Sequence, residues 1–203
     1  MQRQPQIFSL LAAAALTLSG CSTGQYANTP YLGAEYQTAY AGGSRPSEVV
    51  DNVSFWEGGG SGSPSITINL SEQKAYFFRG GQLIGVALVA TGKEGYDTPA
   101  GNFRVIEKVA DKHSDTYGYM VDAGGNVVNY DADIRKDPVP PGGHFEGAPM
   151  PYWMRIVGSI GMHQGPIPVP GSPASHGCIR MSKLVAANFF DHAKVGMPVR
   201  VVY

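Results

Sequence analysis

The chain is poor in cysteine and poor in charge. Its 2 Cys allow at most one disulfide, which excludes a small scaffold built on disulfides. Asp, Glu, Lys and Arg make up 15% of the residues, against about 25% in an average globular protein. The formal net charge is -1 at pH 7, so the chain lacks the surplus of Lys and Arg that phosphate neutralisation requires, and nucleic acid is excluded as a partner. The apolar run from Ile7 to Leu18 falls short of the roughly twenty residues a membrane-spanning helix needs. What is abundant is punctuation: 27 Gly and 15 Pro occupy about a fifth of the chain, where about one-eighth is usual. Such a composition predicts many turns and more strand than helix. The 203 residues suit one domain of ordinary size with some excess.

Arg3, the apolar run and the small residues Ser19-Gly20 before Cys21 have the layout of a secretory signal. Leu18-Ser19-Gly20-Cys21 resembles the lipobox of bacterial lipoproteins. That resemblance implies cleavage after residue 20, lipidation of Cys21, and membrane anchoring through more than one acyl chain. Ser22, rather than Asp, following the cysteine implies an exported protein that faces the periplasm from the outer membrane. An ordinary signal peptide with an incidental Cys21 is the alternative.

Residues 22 to 64 are rich in Gly, Ser, Ala and Tyr, end in a Gly-Ser run, and hold no sustained period. They read as a flexible tether, giving the division 1–20 signal, 21–64 lipidated cysteine and tether, 65–203 folded domain. Val49 to Trp56 is apolar enough to be a short docking segment instead. From Ser65 the pattern becomes that of strands. Ile66 to Leu70 alternates with period two, and Ala75–Arg79 and Gln82–Ala90 flank Gly80-Gly81 as a hairpin. Thr98 to Gly101 reads as a turn feeding a strand over Phe103–Val109. Further strands are predicted at Gly118–Asp122, Asn126–Tyr130, Tyr152–Val157 and Val199–Tyr203. The helix expected over Ser182–Ala193 has Ser182 as N-cap and Leu184, Val185, Phe189 and Phe190 as its apolar face. The Pro/Gly-rich segment from Lys112 to Pro151 reads as a long irregular insertion, a lid or a disordered loop, with the lid expected.

The densest chemistry lies in Ser175-His176-Gly177-Cys178-Ile179-Arg180, with Met162-His163-Gln164-Gly165 upstream. If Cys21 carries lipid, Cys178 is the one free thiol of an exported chain. Nearby imidazoles, a guanidinium two residues on and a helix start just beyond are each expected to lower its pKa toward thiolate. Gly177 permits close backbone approach, so amides around Cys178 are candidates for an oxyanion hole. A buried structural Cys fits this polar setting poorly. Zinc held by His163, His176 and Cys178 lacks a paired-Cys or His-Glu-x-x-His spacing and a fourth ligand, so no metal site is expected. His113, His144 and His192 read as surface or loop residues.

Ser-His-Gly-Cys-Ile-Arg with its upstream His, the Thr98-Pro99-x-Gly101-x-Phe103 turn, and the helix after the Cys motif together resemble the L,D-transpeptidases with a YkuD-type catalytic domain. The resemblance covers most of residues 65–203. It implies a mostly-β, β-sandwich-like fold with one main helix after the Cys motif and a lid insertion, no cofactor, and cysteine acyl transfer on peptidoglycan stem peptides. By position, Cys178 is the implied nucleophile, His163 the general base, and the Gln164 carbonyl the group orienting the imidazole. Gly177 and Cys178 amides are implied as oxyanion donors, Ser175 and His176 as shapers of the pocket, and Arg180 as the holder of a substrate carboxylate. Tyr152, Trp153 and Met154 are expected to line the substrate groove, with core packing the alternative for Trp153. The acceptor is left open among an amine that gives a 3-3 cross-link, a wall-anchored protein, and water, the last making a hydrolytic carboxypeptidase or amidase. A non-catalytic peptidoglycan-binding lipoprotein is the alternative outside the enzyme class.

Overall fold

The computed structural model describes residues 55–56 and 60–203; Cys21, the expected signal and most of the expected tether lie outside them. The first strand is β1 (Phe55–Trp56), followed by β2 (Pro64–Asn69), β3 (Lys74–Arg79) and β4 (Gln82–Ala90). Then come β5 (Gly101–Arg104), β6 (Glu107–Val109), β7 (His113–Val121), β8 (Val127–Asp133) and β9 (His144–Pro149). The chain ends with β10 (Trp153–Val157), β11 (Ile160–Gln164), β12 (Ile179–Met181), the helix α1 (Lys183–His192) and β13 (Pro198–Val202).

Ten strands form one sheet in the order β5-β13-β2-β3-β4-β12-β11-β10-β6, with β1 on the free edge of β4. The end strands β5 and β6 are separated by only Val105 and Ile106. Val105 N–H donates to Met197 at one edge, and Ile106 N–H donates to Arg155 at the other. The two edges therefore meet and the sheet is curled on itself. The single strand expected over Phe103–Val109 is thus broken where the chain changes edges.

Period-two alternation places Ile66 and Ile68 of β2, Ala75 and Phe77 of β3, and Val199 and Val201 of β13 in one core with Val185, Ala186 and Phe189 of α1. Ser182 holds the N-cap position in extended conformation but makes no side-chain cap bond. Leu184, expected on the apolar face, is 73% exposed, and Ala186 takes its place inside. The cause is angular: Val185, Ala186 and Phe189 share one narrow stripe, and Leu184 falls outside it. The far end of α1 is tied to the sheet by Lys108, whose Nζ donates to the Phe190 and Ala193 carbonyls at 2.5 and 2.7 Å. These are carbonyls that a helix C-terminus leaves unpaired.

The expected tether is corrected at its end. Phe55 and Trp56 pair with Val86 and Gly85 of β4, and the Trp56 ring packs on Phe77 and Phe189 at 5.1 and 5.6 Å between centroids. A Cβ at Gly85 would lie 2.5 Å from that indole, so only glycine lets the ring close onto the strand. Here the docking alternative holds for the residues that are described.

The segment Lys112–Pro151 is also regular where a loop was expected. It forms a second antiparallel sheet in the order β8-β7-β9, and its ends are zipped by Met150 N–H to Lys112 and Tyr152 N–H to Ala110 at 2.6 and 2.8 Å. Pro138–Pro141 occupy only the connection between β8 and β9. The strands predicted at Gly118–Asp122 and Asn126–Tyr130 overlap β7 and β8, while lone glycines and prolines inside a polar stretch concealed β9 and the pairing of all three. This small sheet stands over one face of the large one and makes the roof of a cleft.

Candidate active site

The floor of the cleft is the outer face of β10, β11 and β12. β11 and β12 run parallel, pairing Met162 with Ile179 and His163 with Arg180. Met162, Ile179 and Met181 are fully buried in the core. Alternation therefore turns His163, Cys178 and Arg180 to the opposite side, where all three line a cavity of about 770 Å³. That size lies within the usual range of roughly 300–1,000 Å³ for ligand sites. The roof contributes Tyr117, Tyr119, Tyr130 and Asp131.

His163 is 5% exposed, and its Nδ1 lies 2.6 Å from the Gln164 carbonyl oxygen. A carbonyl only accepts, so the proton is assigned to Nδ1 and Nε2 keeps its lone pair. Burial pulls the His163 pKa down to about 4, with Arg180 adding to the fall and the Gln164 hydrogen bond opposing it. The imidazole is neutral at pH 7, as a proton acceptor must be.

The thiol departs from expectation. Burial raises the Cys178 pKa, and the Gly161 backbone hydrogen bond and the Arg180 charge offset that only in part. The helix thought to follow the cysteine directly begins at Lys183, with β12 in between, so its dipole is not at the sulfur. Cys178 Sγ donates to the Ser159 carbonyl at 3.6 Å.

Gly177 is likewise corrected. Its N–H donates to Ser175 Oγ at 3.1 Å, which occupies the amide expected to bind an oxyanion. Its φ of 108° explains why glycine stands there. Ser175 is 1% exposed. It lines the cavity, but its hydroxyl is engaged inside the protein, donating to the Cys178 carbonyl at 2.5 Å. It holds the loop around Cys178 more than it meets a ligand. Thr98 clamps the same loop from the other side, donating to the Gly177 carbonyl at 2.7 Å while accepting from Gly92 N–H at 2.9 Å.

His176 stacks on Tyr117 at 4.2 Å between centroids and 8° between planes. Tyr96 meets its edge at 4.6 Å. Its Nε2 lies 3.6 Å from Asp131 of the roof. Burial lowers its pKa, opposed by Asp131 and reinforced by Lys93 and Arg180. Stacking fixes this imidazole as a wall that joins the Cys178 loop to the roof.

The expected groove residues divide. Trp153 lines the cavity, with its Nε1 donating to Glu107 at 2.9 Å and its ring 6.0 Å from that of His163. Met154 points into the core, fully buried, because neighbours in a strand face opposite ways. Tyr152 does not line the cavity; at φ 59° it packs on Phe190 of α1 at 5.9 Å. His113 and His144 are exposed, and His192 rests in the last turn of α1 against Trp56 at 4.8 Å. None of the three lines the cavity.

The charges of the cavity are paired with one exception. Lys93 meets Asp131 at 3.8 Å, Lys112 meets Asp115 at 2.7 Å, and Arg155 meets Glu107. Arg180, among the described residues, has no carboxylate partner; its Nη1 reaches only the Ala174 carbonyl at 3.4 Å. No group of three or more His, Cys, Asp or Glu among the described residues is placed to hold a metal ion.

Sequence reading missed Thr91, Lys93, Tyr96, Tyr117, Glu107 and Asp131, which lie in four separate segments. The Thr98-Pro99-x-Gly101 turn was the one available signal for the clamp.

Comparison with known proteins agrees with this geometry. The YkuD family, described as the L,D-transpeptidase catalytic domain, matches residues 63–201. A solved L,D-transpeptidase from Mycobacterium smegmatis is similar at 20% identity, with TM-score 0.54, covering 70% of this chain and 59% of that one. An L,D-transpeptidase solved in complex with imipenem shares 24% identity at TM-score 0.53, covering 69% of this chain and 59% of its own. A cysteine-to-serine variant of an Enterococcus faecium L,D-transpeptidase shares 24% at TM-score 0.51, covering 70% and 50%. The chain thus spans between half and three-fifths of these chains, and at such identities they establish the shared fold. No curated protein matches the sequence. By its family match and its curled, mostly-β fold, the chain belongs to the YkuD family of L,D-transpeptidase catalytic domains.

Proposed function

We propose that the protein is a cysteine-dependent L,D-transpeptidase of peptidoglycan, with Cys178 as nucleophile and His163 as general base. The observation that carries this reading is a neutral imidazole, its Nδ1 bound to a backbone carbonyl, in the same cavity as the thiol and beside an arginine with no carboxylate of its own. His163 Nε2 takes the Cys178 proton, and Sγ attacks the carbonyl of the third stem residue. The Cys178 N–H is the remaining candidate for the oxyanion, since Gly177 N–H is engaged. The intermediate then collapses: the C–N bond to D-Ala breaks, the imidazolium returns its proton to the leaving amine, and a thioester remains. An acceptor amine attacks the thioester and forms the new amide; water in its place gives a trimmed stem. A carbonyl suffices to orient His163 because it fixes only the tautomer. Arg180, with no carboxylate partner among the described residues, binds a stem carboxylate.

The test is mass spectrometry of muropeptides after incubation with tetrapeptide stems, with and without added amine acceptor and with Cys178→Ala as control. Cross-linked dimers that the variant fails to make support transfer. Tripeptides alone indicate a carboxypeptidase, and an unchanged profile overturns the reading for this substrate. The Leu18–Cys21 motif supports a lipid anchor at Cys21 that holds the domain on the periplasmic side of the outer membrane. Fractionation tests it: Cys21→Ala is expected to leave the membrane, and retention there contradicts the anchor.

A further inference from the structure

Far from the motif in sequence, Gln73 is 1% exposed at φ 52° in the turn between β2 and β3. A buried primary amide must satisfy two donors and an acceptor, and Gln73 does so on a single neighbouring strand end and its own turn. Nε2 donates to the Leu70 carbonyl at 2.7 Å and to Thr91 Oγ1 at 2.7 Å. Oε1 accepts from Thr91 N–H at 2.9 Å. The main-chain carbonyl of Gln73 accepts from Val89 N–H at 2.9 Å.

β3 begins at Lys74, opposite Leu88 of β4, so Thr91 lies past the point where β3 could pair with it. The carboxamide stands in for the missing peptide group and extends the ladder to Thr91. Thr91, 2% exposed, uses its carbonyl to accept from Ala174 N–H at 2.9 Å and Ser175 N–H at 3.0 Å. Ser175 in turn donates to the Cys178 carbonyl and accepts from Gly177 N–H. An unbroken series of hydrogen bonds therefore runs from Gln73 through Thr91 and Ser175 to the peptide unit before Gly177 and the one after Cys178, the two that flank the unit carrying the Cys178 N–H, whose own carbonyl, that of Gly177, Thr98 holds.

We propose that Gln73 is a positioning residue for acyl transfer, its carboxamide setting, through Thr91 and Ser175, the direction of the Cys178 N–H that meets the oxyanion. This rests on the function proposed above for Cys178. Gln73 touches neither cavity nor substrate, and its effect is confined to reactions that develop an oxyanion. Attack on a carbonyl needs that amide aligned; alkylation of the sulfur does not.

The test compares two reactions at Cys178 in the full chain: acylation by imipenem and alkylation by iodoacetamide. Gln73→Met keeps the length and removes the side-chain hydrogen bonds. It is expected to slow acylation at least about tenfold, in line with the sensitivity of such reactions to sub-ångström misplacement, and to leave alkylation within about twofold. Thr91→Val, which removes only one hydroxyl, is expected to fall between Gln73→Met and wild type, and Thr91→Ser to restore the wild-type ratio. Hydrogen exchange at the Gly177 amide is expected to quicken in Gln73→Met while β2 and β13 stay protected, a readout that does not depend on the enzyme's activity. Equal losses in both reactions with exchange faster throughout the sheet would mean a merely structural residue. Unchanged acylation, or unchanged exchange at Gly177, would overturn the proposal. A wild type that imipenem fails to acylate, with Gly177 exchange responding as expected, would count against the proposed function and not against the positioning.

Discussion

His163→Ala is expected to slow acylation of Cys178 by imipenem by about two to four orders of magnitude, the usual contribution of a positioned general base. Cys178→Ala is expected to abolish it. The first loss follows from the fixed tautomer: the Gln164 carbonyl holds the proton at Nδ1, which leaves Nε2 as an acceptor inside the cavity. No second imidazole is free to take over. His176 is held by the Tyr117 stack and Asp131. Stopped-flow fluorescence or timed intact-mass measurements check this, and acylation of His163→Ala at the wild-type rate would reassign the base to His176.

Alkylation of Cys178 by iodoacetamide is expected to rise about tenfold for each pH unit between about 6 and 8, without a neutral plateau, because the thiolate fraction grows tenfold per unit below the thiol pKa. The sign follows from the two shifts. Burial raises the Cys178 pKa and lowers that of His163 to about 4. Both changes favour the uncharged pair, so the proton rests on sulfur at pH 7 and moves only as the nucleophile attacks. A preformed thiolate-imidazolium pair would give nearly constant alkylation across that range, and such a plateau would refute the uncharged resting state. Acyl transfer has a displaced acid limb: it needs His163 unprotonated, so it is expected to persist into mild acid and fail as pH falls through about 4.

The thiol shows where the sequence stops being legible. Ser175-His176-Gly177-Cys178 and the upstream His163 could be recognised as a constellation because chemistry concentrates in few residues there. The sign of the Cys178 shift could not, because desolvation depends on the cavity walls that Trp153 and the small sheet provide. The same holds for Gly177, whose amide is consumed by Ser175 Oγ, a contact two residues away that spacing does not reveal. In the fold, the hairpin over Ala75–Ala90 and the helix after the Cys178 motif were readable from period and turn residues. β11 and β12, which carry His163 and follow Cys178, were not read as strands, because β12 is only three residues long and its pairing partners are distant in sequence. In Lys112–Pro151 two of the strands, β7 and β8, were legible in part, but β9 and the sheet they form were not, since these strands pair mainly with one another and bury little. The apolar run ending at Trp56 was legible as a docking segment, but its seat was not: only Gly85, 29 positions on, explains how the Trp56 ring closes onto the strand.

These particulars converge on one claim, that Cys178 accepts an acyl group from a peptidoglycan stem. The direct measurement is peptide-mapped mass spectrometry of the protein quenched in acid during turnover of a disaccharide-tetrapeptide. A thioester adduct with the mass of the stem lacking its terminal D-Ala, located on the peptide that contains Cys178 and absent from Cys178→Ala, is the predicted result. Turnover of the stem with no adduct at Cys178, or turnover that survives in Cys178→Ala, would contradict it.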